Sequence, residues 1–241
     1  MDIPKRYLRQ LPIIGKEGQE KIAKTSVLVV GVGGLGSIVT TYLALAGFGR
    51  IIIVDNETVE ESNLNRQFLY RDSDIGKTKV LVAAKRLKEH NPNVEVIPIN
   101  EKLTKYNVER IVSMADIVID ALDNWETRFL LNDACVKLQK PFVHAGVESF
   151  YGQLTTIIPG KTPCLRCIIP KTPPRKEFIP VIGAVVGVIG SLEVIEAIKL
   201  ITMSKEKTLA GKLLLVNLLD YEFNLLEIKR RPDCPVCGKL D

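Results

Sequence analysis

Two alternating patterns of apolar residues fill the first 150 residues of the chain. Short continuous runs rich in Val and Ile, such as VLVVG (27–31) and IIIVD (51–55), are typical of buried parallel strands. Longer segments with apolar residues at helical spacing separate these runs. The alternation predicts a Rossmann-like α/β fold with a mainly parallel sheet and helices on both faces. The predicted strands are 27–31, 51–55, 94–99, 116–122 and 141–146, and the predicted helices are 5–24, 35–46, 77–90, 106–114 and 127–138.

Beyond residue 150 the pattern changes. Segment 152–159 is a predicted strand with no helix before it, which favours antiparallel pairing. Residues 160–180 are rich in Pro, Lys and Arg and predict a crossing loop, followed by a buried apolar helix over about 178–192. Segments 212–217 and 222–230 predict a β-hairpin. We expect one domain over residues 1–241, with C-terminal antiparallel strands.

The composition narrows the class of protein. The chain is 46% hydrophobic and 25% charged, as is typical of soluble globular proteins. Its net charge is +5 without a dense Lys/Arg block, so nucleic-acid binding is not predicted, although an acidic partner is compatible. The opening MDIPKRYLRQ is polar, and the longest apolar run is too short to span a bilayer. We therefore expect a cytoplasmic protein with no membrane association.

A glycine-rich turn, GVGGLGS, joins the first predicted strand to the next helix. Gly31, Gly33 and Gly36 allow a tight turn and a close approach of the backbone to phosphate, and the helix N-terminus offers N–H groups to an anion. Asp55 follows at the spacing of a ribose ligand. The context favours nucleotide binding over a glycine turn without a ligand, but it does not specify NAD.

Polar residues follow this unit in SNLNRQ (62–67). Asn63, Asn65 and Arg66 suit contacts to a nucleotide, because an arginine can bind two phosphate oxygens at once. A solvated turn is an equally good interpretation of the same residues.

The next segment, RDSDIGKT, ends like a P-loop. Its first position is Arg71 rather than glycine, and no strand precedes it, so we reject that interpretation. We expect Ser73 or Asp74 to cap the next helix. Its first turns would then place Lys77 and Lys79 where either one could reach a phosphate.

The segment DALDN (120–124) closes a predicted buried strand. Ligands of open α/β sheets bind at the carboxyl ends of the strands, so Asp120 and Asp123 are candidate ligands of Mg²⁺. The pair 123–124 also suits a helix cap, and both roles are compatible. His144, near the end of the following strand, either lines the pocket or packs in the core.

Four of the five cysteines form two C-x-x-C pairs, CLRC and CPVC. Such pairs match tetrahedral Zn²⁺, and they predict a structural zinc site made by Cys164, Cys167, Cys234 and Cys237. Zinc would join the crossing loop to the C-terminus, and four thiolates leave no open position for catalysis. The remaining Cys135 is expected to be a buried, inert thiol.

Together these motifs resemble the MoeB/ThiF family, relatives of the ubiquitin-activating enzymes. The likeness covers nearly the whole chain, through RYLRQ, VLVVGVGGLGS, VDNETVEESNLNRQFL, DIGKTK, DALDN, CLRC, GVIGSLEVIEAIK and CPVC. By this resemblance, ATP and Mg²⁺ would be held by Gly33, Gly34, Asp55, Asn63, Arg66, Lys79 and Asp123.

The resemblance also implies a role for each of these residues. Asn63, Arg66 and Lys79 would contact the triphosphate, Asp123 would hold Mg²⁺, and Asp55 would bind the ribose. Gly34 would lie against the phosphates.

The family adenylates the C-terminal glycine of a small β-grasp, ubiquitin-like protein of the MoaD or ThiS type, which often ends in Gly-Gly. Pyrophosphate is released, and the carrier is prepared for thiocarboxylate formation. A C-terminal carboxylate is already ionised at neutral pH, so positioning and charge neutralisation suffice without a general base. The implied catalytic residues are Arg66, Lys79, Asp123 and Arg9, which would reach the ATP of the other subunit in a homodimer.

One departure from the pattern is informative. Related enzymes carry a further cysteine in the crossing loop, but RKEFIPVI (175–182) has none, so we expect no covalent enzyme–carrier intermediate. The sequence ends just after CPVC, so we expect a separate sulfurtransferase to supply the sulfur. Three alternatives remain: a same-fold enzyme acting on a peptide carboxylate or a modified tRNA, an NAD-dependent oxidoreductase, and a non-catalytic half of a heterodimer.

Overall fold

The computed structural model describes residues 3–174 and 178–238. Its strands are β1 (Ser26–Val30), β2 (Arg50–Val54), β3 (Glu95–Ile99), β4 (Ile117–Asp120), β5 (Phe142–Glu148), β6 (Tyr151–Ile157), β7 (Lys212–Asn217) and β8 (Glu222–Glu227). They form one sheet in the order β3-β2-β1-β4-β5-β6-β7-β8. The first five strands pair in parallel, and β6, β7 and β8 pair antiparallel with their neighbours. The topology confirms the predicted α/β fold with C-terminal antiparallel strands.

Helices flank both faces of this sheet. They are α1 (Leu11–Lys24), α2 (Gly34–Ala46), α3 (Lys79–His90), α4 (Val108–Ser113), α5 (Trp125–Lys137), α6 (Leu165–Ile168) and α7 (Gly183–Thr202). Gly47, at φ +88°, ends α2 in the left-handed conformation that glycine adopts without strain. No helix in the described ranges combines the length and the apolar character that crossing a bilayer requires.

Two apolar cores fill the space between the sheet and its helices. One lies against α1, α2, α3 and α7 and includes Val29 and Ile189. The other lies against α4, α5 and α6 and includes Leu28, Val118 and Phe129. Successive residues of β1 therefore face opposite cores, and burial on both sides explains the continuous Val and Ile runs of the central strands.

The start of α3 differs from the prediction. The helix begins at Lys79, and Thr78 occupies the N-cap position without a side-chain hydrogen bond. Asp74 does not cap α3. Its Oδ2 accepts the backbone N–H of Arg71 at 3.2 Å and closes the separate 3-10 turn Asp72–Asp74. The local hydrogen bond thus organises a turn of its own before the helix.

The predicted helices at 5–24 and 178–192 also have different bounds. The first is a 3-10 turn (Lys5–Tyr7) followed by α1, which is interrupted at Gly15 with φ +73°. The second starts later and runs further, as α7. The Pro180 carbonyl accepts a hydrogen bond from Ser149 N–H at 2.6 Å. The chain before α7 is therefore tied to the β5–β6 turn instead of continuing the helix.

Candidate nucleotide and metal sites

Three of the predicted ligand segments meet at the carboxyl edge of the parallel strands. In the sheet register, Val30 at the end of β1 pairs with Val54 of β2 and with Asp120 of β4. The glycine turn, Asp55 and the 121–124 turn follow directly after these three paired residues. They are therefore neighbours at the edge where open α/β sheets bind their ligands.

Close packing explains two of the glycines in the turn. Gly31 has φ +92°, and a Cβ there would lie 2.6 Å from the backbone oxygen of Ala121. A Cβ on Gly36 would lie 2.1 Å from the Gly31 oxygen. Any side chain at either position would push the 121–124 turn or the start of α2 away. Glycine therefore lets the N-terminus of α2, a position that favours an anion, pack close to the 121–124 turn.

Val32, inside the glycine turn, is held by both of its backbone groups. Its N–H donates to Oδ2 of Asp55 at 2.8 Å, and its carbonyl accepts the Tyr70 hydroxyl at 2.7 Å. Burial, together with the nearby carboxylates of Asp55 and Glu57, raises the pKa of Tyr70 well above its ordinary value, so the hydroxyl keeps its proton. The predicted ribose ligand, Asp55, thus stands at the mouth of the turn.

The SNLNRQ loop lies between the glycine turn and the start of α7. A Cβ on Gly34 would lie 3.7 Å from Cγ of Arg66, and a Cβ on Gly183 would lie 2.5 Å from the Asn65 oxygen. Arg66 Nη1 donates to the Ser62 carbonyl at 2.8 Å, which orients the guanidinium within the loop. Asn63 is buried, and its Oδ1 accepts the Glu60 N–H at 3.1 Å.

The two lysines of the GKTK segment have different surroundings. Lys77 is largely exposed and pairs with Asp74 at 3.2 Å. Lys79 is only 3% exposed, and its Nζ lies 2.6 Å from Oε2 of Glu57, a side chain that is 65% exposed. Lys79 is therefore a buried lysine whose carboxylate partner lies largely at the surface.

Asp120 and Asp123 separate into different roles. Asp123 is exposed in the turn before α5, and the Asn124 Oδ1 caps that helix by accepting the Thr127 N–H at 2.9 Å. Asp120 is fully buried, and its Oδ2 lies 2.6 Å from Nδ1 of His144. The protein's own groups surround the Asp120 carboxylate, which does not favour the interpretation of Asp120 as a Mg²⁺ ligand.

Sequence reasoning missed the buried polar network around Asp120. Arg128, on α5, places Nε 3.4 Å from Oδ2 of Asp120 and its guanidinium 4.9 Å from the Trp125 ring centre. Burial lowers the pKa of His144, which is therefore neutral. Glu193, buried on α7, has a pKa raised well above its ordinary value by burial and by Asp120. The spacing of Trp125 and Arg128 on one helix face was the available signal.

Arg9 is not brought together with the other predicted residues. It is exposed in a segment whose Tyr7 ring abuts Gly47 and whose Gln10 donates to the Ala46 carbonyl at 2.9 Å. These contacts lie at the C-terminal end of α2, whose 13 residues span about 20 Å from the glycine turn. Within one chain, Arg9 therefore lies at the opposite edge of the sheet from the glycine turn.

The four paired cysteines converge as predicted. Their sulfur atoms all lie within 4.8 Å of one another and are buried, with Sγ of Cys164 and Cys234 3.7 Å apart and those of Cys167 and Cys237 3.3 Å apart. Four thiolates at 2.3 Å from a tetrahedral ion would be about 3.8 Å apart, so the donor set fits Zn²⁺. Cys135 is a separate buried thiol on α5, as expected.

Residues 6–236 match the ThiF family. The chain is 45% identical, over 97% of its length, to the sulfur carrier protein adenylyltransferase of Thermus thermophilus, of which it covers 90%. It is 44% identical over 97% of its length to the protein HesA, vegetative, of Trichormus variabilis, covering 89% of that protein. It is 43% identical to the adenylyltransferase and sulfurtransferase MOCS3 of Anopheles gambiae, over 97% of this chain and 55% of that one.

Solved structures agree with these relatives. The crystal structure of E. coli MccB with ATP superposes with a TM-score of 0.86 at 26% identity, covering 98% of this chain and 74% of that one. The fold and the predicted enzyme class, an adenylyltransferase, are thus confirmed, whereas the assigned site residues stay predictions. The chain belongs to the ThiF family.

Proposed function

We propose that this protein uses ATP and Mg²⁺ to adenylate the C-terminal glycine carboxylate of a small ubiquitin-like sulfur carrier of the MoaD or ThiS type. The observation that carries the proposal is the convergence of the α2 N-terminus, Arg66 and the Asp123 turn at one edge of the sheet. The name of the Thermus relative, a sulfur carrier protein adenylyltransferase, supports the substrate class.

ATP would lie along this edge. Asp55 would accept the ribose hydroxyls, and the N–H groups at the start of α2, beside Gly33 and Gly34, would face the phosphates. Asn63 offers an amide, and Arg66 and Lys79 offer positive charge to the β- and γ-phosphates. Asp123, exposed at the same edge, would hold Mg²⁺, which neutralises phosphate charge when bound.

The chemistry needs positioning more than proton transfer. A carboxylate oxygen attacks the α-phosphorus, the bond from that phosphorus to the bridging oxygen breaks, and pyrophosphate leaves with the electron pair. The carrier carboxylate is ionised at neutral pH, so a general base is not required. Arg66 and Lys79 lower the barrier by stabilising the charge that accumulates on the leaving group.

A homodimer would complete the site. Arg9 lies far from the glycine turn of its own chain, so we infer that it reaches the ATP of a second copy. Apolar side chains are exposed beside it: Ile13 is 73% exposed and lines a groove with Ile195, and Leu8 is 55% exposed. Apolar patches of this kind mark protein–protein contacts.

The carrier would dock at the other end of the sheet. β8 is the edge strand, and its Phe223, Leu225 and Leu226 are about half exposed. A β-grasp protein presents a sheet face that can cover such a surface. Part of the predicted cysteine-free stretch of the crossing loop, 175–177, lies outside the described residues. The absence of cysteine from 175–182 is a property of the sequence, and we infer transfer without a covalent enzyme–carrier bond and sulfur delivery by a separate sulfurtransferase.

The test is ATP–pyrophosphate exchange, with and without a β-grasp protein that ends in Gly-Gly. We expect exchange that requires the intact tail and disappears in Asp123→Ala, while Asp72→Ala, an exposed aspartate of the 3-10 turn before α3, behaves as wild type. Exchange that is independent of the tail, or that needs a peptide or tRNA instead, would contradict the carrier assignment. Those outcomes would favour the same-fold alternatives.

A further inference from the structure

We propose that the buried Asp120–Arg128 pair positions Asp123 by holding the backbone of Leu122, and so sets the affinity of the site for Mg²⁺. The inference rests on the proposed function in one respect, which is the assignment of Mg²⁺ to Asp123. In this role Asp120 and Arg128 are positioning residues that do not touch the ion.

Both backbone groups of Leu122 are occupied by this pair. Its N–H donates to Oδ1 of Asp120 at 3.0 Å, and its carbonyl accepts a hydrogen bond from Nη2 of Arg128. Leu122 immediately precedes Asp123. Residues 121–124 belong to no strand or helix. The two hydrogen bonds from Asp120 and Arg128 to Leu122, here called the clamp, therefore fix the backbone of this turn.

The clamp also bears on the glycine turn. The residue before Leu122, Ala121, donates its N–H to the Val30 carbonyl at 3.0 Å, and its own oxygen occupies the space that a Cβ on Gly31 would need. A shift of Leu122 would therefore move Asp123 relative to the start of α2. Metal affinity depends on ligand position to within fractions of an ångström, and supporting residues of this kind commonly change it 10- to 100-fold.

Arg128 is suited to this task because it is fixed on two sides. Its guanidinium stacks on Trp125, and its Nε lies 3.4 Å from Asp120 while Nη2 points to Leu122. The side chain is 7% exposed. The planar guanidinium of an arginine can contact two groups in fixed directions at once, whereas the ammonium of a lysine lacks this rigid geometry.

Among the groups around Asp120, Arg128 is the one that carries a positive charge. Neutral His144 donates from Nδ1 to Asp120, and its Nε2 accepts the Gln153 amide at 3.2 Å. Burial and the nearby Asp120 raise the pKa of Glu193 well above its ordinary value, which favours its neutral form. Asp120 is then the carboxylate that balances Arg128, and the pair is neutral as a unit.

A buried ion pair can also be purely structural, and such pairs are weak contributors to stability. That alternative predicts a lower Tm in Arg128→Lys with an unchanged Mg²⁺ dependence. The positioning role predicts a changed Mg²⁺ dependence in a protein that is still folded. The two roles therefore separate experimentally.

The experiment is a Mg²⁺ titration of ATP binding followed by tryptophan fluorescence. Trp125 is the only tryptophan of the chain, and it lies two residues from Asp123. Arg128→Lys is compared with Arg166→Lys, because Arg166 also pairs with an aspartate, at 2.7 Å, and lies over a ring, at 4.6 Å, but beside the cysteine cluster. Each variant is also made in an Asp123→Asn background, and thermal melting checks that it is folded.

We expect Arg128→Lys to raise the half-saturating Mg²⁺ concentration about 10-fold or more, with ATP binding in the absence of Mg²⁺ unchanged. Arg166→Lys should match wild type, and Arg128→Lys should add nothing in the Asp123→Asn background. The inference would be overturned if Arg128→Lys left the half-saturating Mg²⁺ concentration unchanged, or shifted it equally in the Asp123→Asn background. It would also be overturned if the wild-type protein bound ATP without any dependence on Mg²⁺. Mg²⁺-dependent binding without pyrophosphate exchange would contradict the proposed function alone.

Discussion

Gly183, the first residue of α7, offers a sharp test of how the Arg66 loop is held. A Cβ at this position would lie 2.5 Å from the Asn65 oxygen and 3.3 Å from Cα of Arg66. Ordinary contacts begin near 3.4 Å, so the loop would have to move by about 0.9 Å to admit a methyl group. We expect Gly183→Ala to displace Arg66 from the glycine turn.

The magnitude follows from general behaviour at packed contacts. Overpacking of this kind costs about 1–3 kcal/mol in the free energy of unfolding. A misplacement of about 1 Å at a reacting centre can cost about 100-fold in rate. Pyrophosphate exchange in Gly183→Ala should therefore fall by roughly 10- to 100-fold, and the Tm should decrease.

Gly187, one turn further along α7, is the matched control. A Cβ there would meet nothing within 4 Å. Because alanine is about 1 kcal/mol better than glycine inside a helix, Gly187→Ala should raise the Tm and leave exchange unchanged. If Gly183→Ala exchanges pyrophosphate as fast as wild type, or if the two variants behave alike, α7 does not position the Arg66 loop.

Three further outcomes are expected. In mixed preparations of Arg9→Ala and Asp123→Ala, heterodimers with one intact site should regain exchange that neither variant has alone; failure to regain it would exclude action across a dimer. Cys234→Ser should release one equivalent of zinc from protein purified with it, measured by elemental analysis, and retained metal would contradict the four-thiolate site. Burial raises the pKa of Glu193 above its ordinary 4.5, so the native state binds a proton that the unfolded state releases above that pH. Stability should then fall as the pH rises above 4.5, and Glu193→Gln should flatten this slope in melting curves recorded at increasing pH; an unchanged slope would refute it.

The sequence patterns predicted most of the sheet because the central strands are buried on both faces. Val27–Val30 and Ile51–Val54 are continuous runs for that reason, and the predicted strands lie within a few residues of the observed ones. The residues at which α3 and α7 begin were harder to predict. A turn closed by Asp74 precedes α3, and a hydrogen bond between Ser149 and Pro180 fixes the chain before α7. These contacts join single polar groups, 3 residues apart in the first case and 31 residues apart in the second, and such pairs carry no periodic signal.

The buried site around Asp120 was predictable only in part. Its position at a strand end suggested a ligand, but the groups that contact it, His144 on β5 and Arg128 on α5, lie 24 and 8 residues away along the chain. The burial of Glu193 was not predictable for the same reason. This residue ends the apolar run in the sequence, yet it is fully buried in the fold. Burial of a charge is decided by tertiary neighbours, which one sequence does not display.

The two cysteine pairs have a consequence for the order of folding. Cys164 and Cys234 are 70 residues apart, and the segment between them contains α7 and the β7–β8 hairpin. Closing a loop of that length in a disordered chain costs about 4 kcal/mol in entropy, whereas formation of the sheet closes it in any case. We therefore expect the metal to bind late in folding, after the C-terminal half has formed, and to stabilise that half. A chelator should then loosen the crossing loop and the hairpin before it disturbs the glycine turn.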